Sequence, residues 1–484
     1  MIATQAPTQP SKSPFNWLSL FQLVLSALMA FLLLGAASLV AVTSAAQYFA
    51  HGAGVQDLTQ SFMIATSLAF AGVLVLPSAW YAWKSIALPE AEPVIRLEQQ
   101  RLVFNLTLLV LVLVGGALWL GNWVSLNTDL AWLLLPPLNI IANGLPVLWL
   151  VYIGTRGLIP GQPRRQWGVF ASGLVLGPLI ILFLELLVLI GIGVLAILWA
   201  LLDPSISNQL NGLVFRLQNS ATNPDAILRI LLPFLLKPGI LFIAFAFISV
   251  IVPLIEEALK PIGVWFLLGQ KLTPAQGFAF GILSGAGFGL FENLGNTSSG
   301  GEAWVLLAST RIVTLLLHCL TAGVVGWALA SAWSHKRYLR LGVTYALAVI
   351  LHGLWNGMAV LSSISSLHGQ VNISIPASLQ QFGSLSSIGI VALGAFNLVF
   401  FLGFSLVLRK STIGKASPLA VYDENPNLSG SGDSSTQPGS SVAPASTTTS
   451  TLQGPPIDTI PSSQDESQPS HAQENPPTPP ESIS

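Results

Sequence analysis

The chain has 484 residues, of which 52% are hydrophobic and only 8% charged, against roughly 25% charged in an ordinary soluble domain. That much apolar surface excludes a soluble globular fold, and the single cysteine, Cys319, excludes an internal disulfide framework or a cysteine metal cluster. The formal net charge of -1 conceals an asymmetry: residues 411–484 hold eight Asp and Glu against only Lys415, so the apolar part is net basic.

The apolar residues come in runs of about 20 or more, the length a helix needs to cross a hydrocarbon core. No alternating ten-residue pattern of a membrane barrel is present. Ten spans are predicted: 18–45, 61–83, 102–123, 130–154, 167–202, 240–269, 274–295, 303–333, 341–362 and 385–408. The fold class is therefore all-α, a polytopic bundle. The first span is too long for a signal-peptide core, although Ser44-Ala45-Ala46 faintly resembles a cleavage site, and is read as retained.

Lys and Arg concentrate in short cytoplasmic loops. Lys84, Arg96 and Arg101 follow span two, Arg156, Arg164 and Arg165 follow span four, and Lys336, Arg337 and Arg340 follow span eight. Arg409, Lys410 and Lys415 follow span ten. The loops after spans one, three, seven and nine carry neither residue, so both termini are expected to be cytoplasmic. Segment 203–239 breaks the pattern with Arg216, Arg229 and Lys237. Its apolar stretch 226–236 is too short to span and is interrupted by prolines, so it is read as extracytoplasmic or re-entrant. The tail 411–484, rich in Ser, Thr, Pro, Gln and Asn with Tyr422 its one aromatic residue, is expected to be a disordered cytoplasmic extension.

Ionisable groups within hydrocarbon are costly, so each one inside a span is a site hypothesis. Spans one to five offer Glu185. The next four offer Glu256, Glu257, Lys260, Glu292, Arg311, His318 and His352, with Asn293 and Asn356 beside them. Residues 1–202 thus form a bland half of unknown role, and 240–362 a reactive core, followed by a loop and the last span at 363–410. In span six, Lys260 stands four residues after Glu256 and three after Glu257, so it reaches either carboxylate along one helical flank. Pro253 and Pro261 flank that motif and should distort the helix. In span seven a glycine stripe, Gly277, Gly281, Gly285 and Gly289, permits close helix approach and brings Glu292 towards the site. In span eight Arg311 and His318 share a face two turns apart, and in span nine His352 and Asn356 share one at four-residue spacing. Glu292 lies only three residues from the expected outer edge of its span. Either that span runs further or the cavity opens outward.

The order Glu256-Glu257-x-x-Lys260, Phe288-x-x-x-Glu292, Arg311 with His318-x-x-Thr321, and His352-x-x-Trp355-Asn356 resembles the PrsW family of intramembrane proteases, relatives of the CAAX prenyl-protein and bacteriocin-processing membrane proteases. The likeness covers about 240–362. It implies endopeptidase activity on membrane-anchored proteins in a bacterial plasma membrane, the first-known member making the initial cut in an anti-sigma factor. Carried over, it gives Glu256 and Glu257 the general base, His318 and His352 the other catalytic positions, and Glu292 a supporting one. Lys260, Arg311 and Asn356 are read as supporting or oxyanion-stabilising groups. Without a His-Glu-x-x-His helix the residues favour a metal-free site. Zinc is the alternative cofactor, with Glu257, Glu292, His318 and His352 as candidate ligands. The expected partners are a membrane protein substrate and the bilayer, with no nucleic acid. The rival reading is a secondary transporter or proton-coupled carrier with a midplane Glu/His site. It is disfavoured because the reactive groups sit in one half and no inverted repeat is visible.

Overall fold

The computed structural model describes residues 17–413, apart from 53, 88–99, 128, 159–160, 221–223, 236, 300 and 368–376. The expected disordered tail beyond 413, with Lys415 and Tyr422, lies outside the described residues, as does Arg96.

The described residues form helices and turns, with no β-strand among them. In chain order the helices are α1 (Trp17–His51), α2 (Val55–Ala87), α3 (Gln100–Asn127), α4 (Ala131–Thr155), α5 (Pro163–Ala171), α6 (Gly177–Leu202), α7 (Pro204–Gln218), α8 (Pro224–Leu235), α9 (Pro238–Ala246), α10 (Val252–Leu259), α11 (Ile262–Trp265), α12 (Pro274–Ser298), α13 (Trp304–His335), α14 (Tyr338–Leu367) and α15 (Ala377–Ile413). A π-turn at Ser172–Leu176 joins α5 to α6, and a second at Phe247–Ile251 joins α9 to α10.

Among the described residues, nine segments are long and apolar enough to cross a membrane: Trp17–Ala50, Val55–Ala87, Val103–Asn127, Ala131–Thr155, Pro163–Trp199, Pro238–Trp265, Trp304–His335, Tyr338–Ile364 and Gln380–Thr412. The chain is a multi-pass membrane protein. The seventh expected span, 274–295, forms as α12, 25 residues long, but its glycines and polar residues keep it below the hydropathy of the other nine. It nevertheless runs along α13 from Gly277, against Gly326 and Ala330, to Gly289, against Leu315 and His318. It therefore lies at the same depth as a crossing helix, shielded by its neighbours. A Cβ at Gly281 would fall on the carbonyl oxygen of Ala322, and one at Gly285 on that of His318. Only a bare backbone permits this approach.

Both π-turns end just before a proline, Pro178 and Pro253. Proline offers no N–H to the carbonyl four residues back, and the ladder widens there. At the second π-turn the gap is used: Asn356 Nδ2 donates to the Ile248 carbonyl at 3.1 Å, and α14 comes so near at Gly353 that a Cβ would fall on the Ser249 carbonyl oxygen. The second expected distortion also appears, since α10 ends at Leu259 and the chain turns through Lys260 and Pro261 before α11. In segment 203–239, α7 and α8 have 15 and 12 residues, short of the roughly 20 needed to span.

The N-terminal helices hold the α12–α13 hairpin through neutral hydrogen bonds. Asn143 Nδ2 donates to Asn139 Oδ1 at 2.9 Å and to Thr297 Oγ1 at 3.2 Å, and the buried Trp304 Nε1 donates to Asn139 Oδ1 at 3.0 Å. Ser67 and Ser298 meet at 3.1 Å. Apolar side chains of α4, α12 and α13, among them Leu150, Ile282, Leu290 and Leu320, fill the space between.

Candidate active site

The last turn of α10 places three charges together. Lys260 Nζ lies 2.9 Å from Glu256 Oε2 and 2.8 Å from Glu257 Oε1, both on its own helix. The i+3 and i+4 spacings make this possible, and the turn at Pro261 folds the lysine back over both carboxylates. From α14, His352 Nδ1 comes to 2.9 Å from Glu257 Oε1 and 3.2 Å from Lys260 Nζ. Its other ring nitrogen, Nε2, faces Glu256 Oε2 at 3.8 Å. Glu257 and Lys260 are fully buried, and Glu256 and His352 nearly so. Phe288 of α12 closes one side, with Lys260 Nζ 5.0 Å from its ring centre.

A second set stands on α12 and α13. His318 Nε2 lies 2.8 Å from Glu292 Oε2, and Arg311 Nη2 lies 2.7 Å from Glu292 Oε1. Arg311 Nε donates to Asn293 Oδ1 at 3.0 Å, and Asn293 Nδ2 returns a bond to the Arg311 carbonyl at 3.0 Å. The two sets meet where the His318 and His352 rings cross edge to face, their centres 5.6 Å apart. Each histidine is thus backed by a carboxylate, and each carboxylate by a cation: Lys260–Glu257–His352 on one side and Arg311–Glu292–His318 on the other. Glu256 lies between them. Charges so placed in a low-dielectric interior need this pairing to be tolerated at all.

Several polar atoms here are buried without an aligned hydrogen bond: Glu256 Oε2, Glu257 Oε2, Glu292 Oε2 and both ring nitrogens of His318. For Glu256 and His318 the ion-pair contacts are short but poorly directed, which leaves their lone pairs available. One ligand atom from each of Glu256, His318 and His352 falls within 4.8 Å of the others, a spacing suited to one small cation. With His352 Nδ1 donating to Glu257, Nε2 is left as a ligand, the arrangement usual for a metal-bound histidine. The residues fit a divalent metal. The carboxylate of the group that could hold such an ion is Glu256, while the expected ligands Glu257 and Glu292 pair with His352 and His318.

Every residue expected at the site converges on this centre except Asn356, whose amide is spent on the π-turn carbonyl of Ile248. Glu292, expected near the outer edge, has six further helical residues beyond it, because α12 runs to Ser298. Its side chain is still 31% exposed and that of Arg311 15%, so the cavity also opens at this point. Glu185 of α6, given no role by the motifs, lies within electrostatic range of Glu256, Glu292 and Lys260. The signal that could have assigned it was plain: a single carboxylate in an otherwise apolar span.

A multi-pass helical bundle with a paired glutamate–histidine centre at its core is the class of protein that fold and site define. Residues 186–380 match the model of the family described as PrsW family intramembrane metalloprotease. That region, 195 of the chain's 484 residues, carries the whole centre, and its similarity to the family supports an intramembrane protease. The match extends beyond 240–362 in both directions and leaves α1 to α5 outside. No curated protein and no solved structure matches the chain.

Proposed function

We propose that the protein hydrolyses peptide bonds of membrane-anchored proteins, regulatory anti-sigma-factor-like proteins among them, with Glu256 as the general base. The single observation behind this assignment is that Glu256 alone of the three site glutamates faces both imidazoles without being aligned to either. In this reading Lys260 holds Glu256 in place, and Glu256 Oε2 takes the proton from a water attacking the scissile carbonyl. Glu257 and Glu292 fix the rings of His352 and His318, which orient that water, and Glu256 then gives the proton to the leaving amine. Were a divalent metal such as zinc bound by Glu256, His318 and His352, it would supply a Lewis acid to the water, and Glu256 would then serve as its ligand in place of acting as the base. Asn356 acts by holding the π-turn that aims α10. The lysine and arginine distribution supports cytoplasmic termini, and the likeness to the family supports a plasma-membrane location.

The test is cleavage of single-span membrane proteins by the purified full chain in bicelles. Wild type should cut, and Glu256→Gln should lose about 10²- to 10⁴-fold in kcat/KM, the usual contribution of a general base. A Glu256→Gln protein that cleaves at the wild-type rate would overturn the assignment.

A further inference from the structure

Glu185 is the only ionisable residue of α6, and no motif of the site includes it. Its neighbours Leu182, Phe183, Leu186 and Leu187 are exposed apolar side chains on the lipid-facing surface. Polar groups at such depth almost always turn to the bundle interior, and the placement of α6 agrees. Gly177 abuts Ile262 of α11, where a Cβ would stand 3.5 Å from the isoleucine. Ile181, one turn on, is buried at 2% exposure. Glu185 is the next residue on that flank at four-residue spacing. α6 also packs on α10, the helix that carries Glu256, and Glu185 stands eight residues beyond the Gly177–Ile262 contact. Its range to Glu256, Glu292 and Lys260 is consistent with that placement. Yet Glu185 Oε1 is buried with no hydrogen-bond partner, unlike Glu257 Oε1, which accepts from Lys260.

A substrate supplies what that oxygen lacks. A transmembrane helix has its backbone N–H groups satisfied within itself. To offer a peptide bond to Glu256 it must unwind locally, and each freed N–H in a water-poor cavity costs several kcal/mol unless an acceptor is waiting. We propose that Glu185 is that acceptor: a substrate-binding residue on the wall between lipid and cavity, which takes a backbone N–H from the segment unwound beside the scissile bond. The proposal rests on the hydrolytic reading above and adds a recognition element outside the motif region. It assigns Glu185 no part in the proton transfers of Glu256.

The test uses a dye-labelled single-span peptide of about 25 residues that the full chain cleaves in bicelles. A set of variants replaces one amide at a time near the scissile bond by an ester, which deletes an N–H and keeps the carbonyl. One ester position should lower wild-type kcat/KM by about ten- to a hundredfold, as for a lost hydrogen bond to a charged group. Glu185→Leu should lose the same factor on the all-amide peptide and show no further loss with that ester. Glu185→Gln, which keeps an acceptor oxygen, should recover most of the rate and the ester sensitivity. An undiminished ester effect in Glu185→Leu, or Glu185→Leu cleaving the all-amide peptide at the wild-type rate, would overturn the inference. A wild-type chain that cuts no peptide would instead defeat the hydrolytic reading from which it starts.

Discussion

The two halves of the bundle solve the problem of polar groups in lipid differently. Around α2 and α4 the polar residues are neutral, as in the Asn139–Asn143–Thr297–Trp304 chain, which binds the first half to the α12–α13 hairpin. In α10 to α14 they are charged, and each carboxylate of a histidine pair is backed by a cation. Neutral bonds fasten helices at little energetic risk. Ionic ones are tolerated only when complete, so removing one partner from each kind of network separates scaffold from site.

The largest expected effect comes from Lys260→Ala. It would leave Glu256 and Glu257 buried without their cation, and breaking a buried pair in this way costs about 3–5 kcal/mol. A fall in unfolding free energy of that size in detergent, with loss of cleavage, is the expected result. A fall comparable to that of a neutral contact would mean that the cavity is wetter than the burial of Lys260 implies.

Next come the two carboxylates behind the histidines. Glu257→Gln and Glu292→Gln should each lower kcat/KM and zinc affinity by about 10- to 100-fold, the range for groups that orient a metal-binding histidine. Glu256→Ala, His318→Ala and His352→Ala should abolish zinc binding measured by calorimetry. If Glu257→Gln abolished it while Glu256→Ala kept it, the two glutamates would exchange roles.

That distinction marks where the sequence stops being informative. The four helices and their reactive residues follow from run length and from the rule that charges inside spans are functional, and all of the core motifs meet in space. Glu256 and Glu257, however, are adjacent, about 100° apart on one helix. Which one faces both imidazoles depends on helix rotation, set by the π-turn at Phe247–Ile251 and by the contacts of Ser249 and Ile248 with α14. No local pattern encodes that. α12 was legible as the expected span 274–295, although the glycines that let it touch α13 lower its average hydropathy. Asn356 shared a face with His352, as its spacing required, but the free carbonyl that captures it belongs to a helix 108 residues away in sequence.

The smallest effect should come from the neutral network. Asn143 is fully buried, but its Oδ1 and the Nδ2 of Asn139 already lack partners, so replacing Asn143 by leucine removes its three donated contacts, to the Asn139 carbonyl, Asn139 Oδ1 and Thr297 Oγ1, and relieves one unsatisfied oxygen. Hydrogen bonds between membrane helices average about 0.6 kcal/mol and reach about 1.7 at most. Asn143→Leu should therefore lower thermal stability slightly and leave kcat and zinc affinity as they are. Loss of kcat at full stability would place the first half of the chain in the chemistry, because a fastening contact has no route to the reaction rate except through the position of α12 and α13.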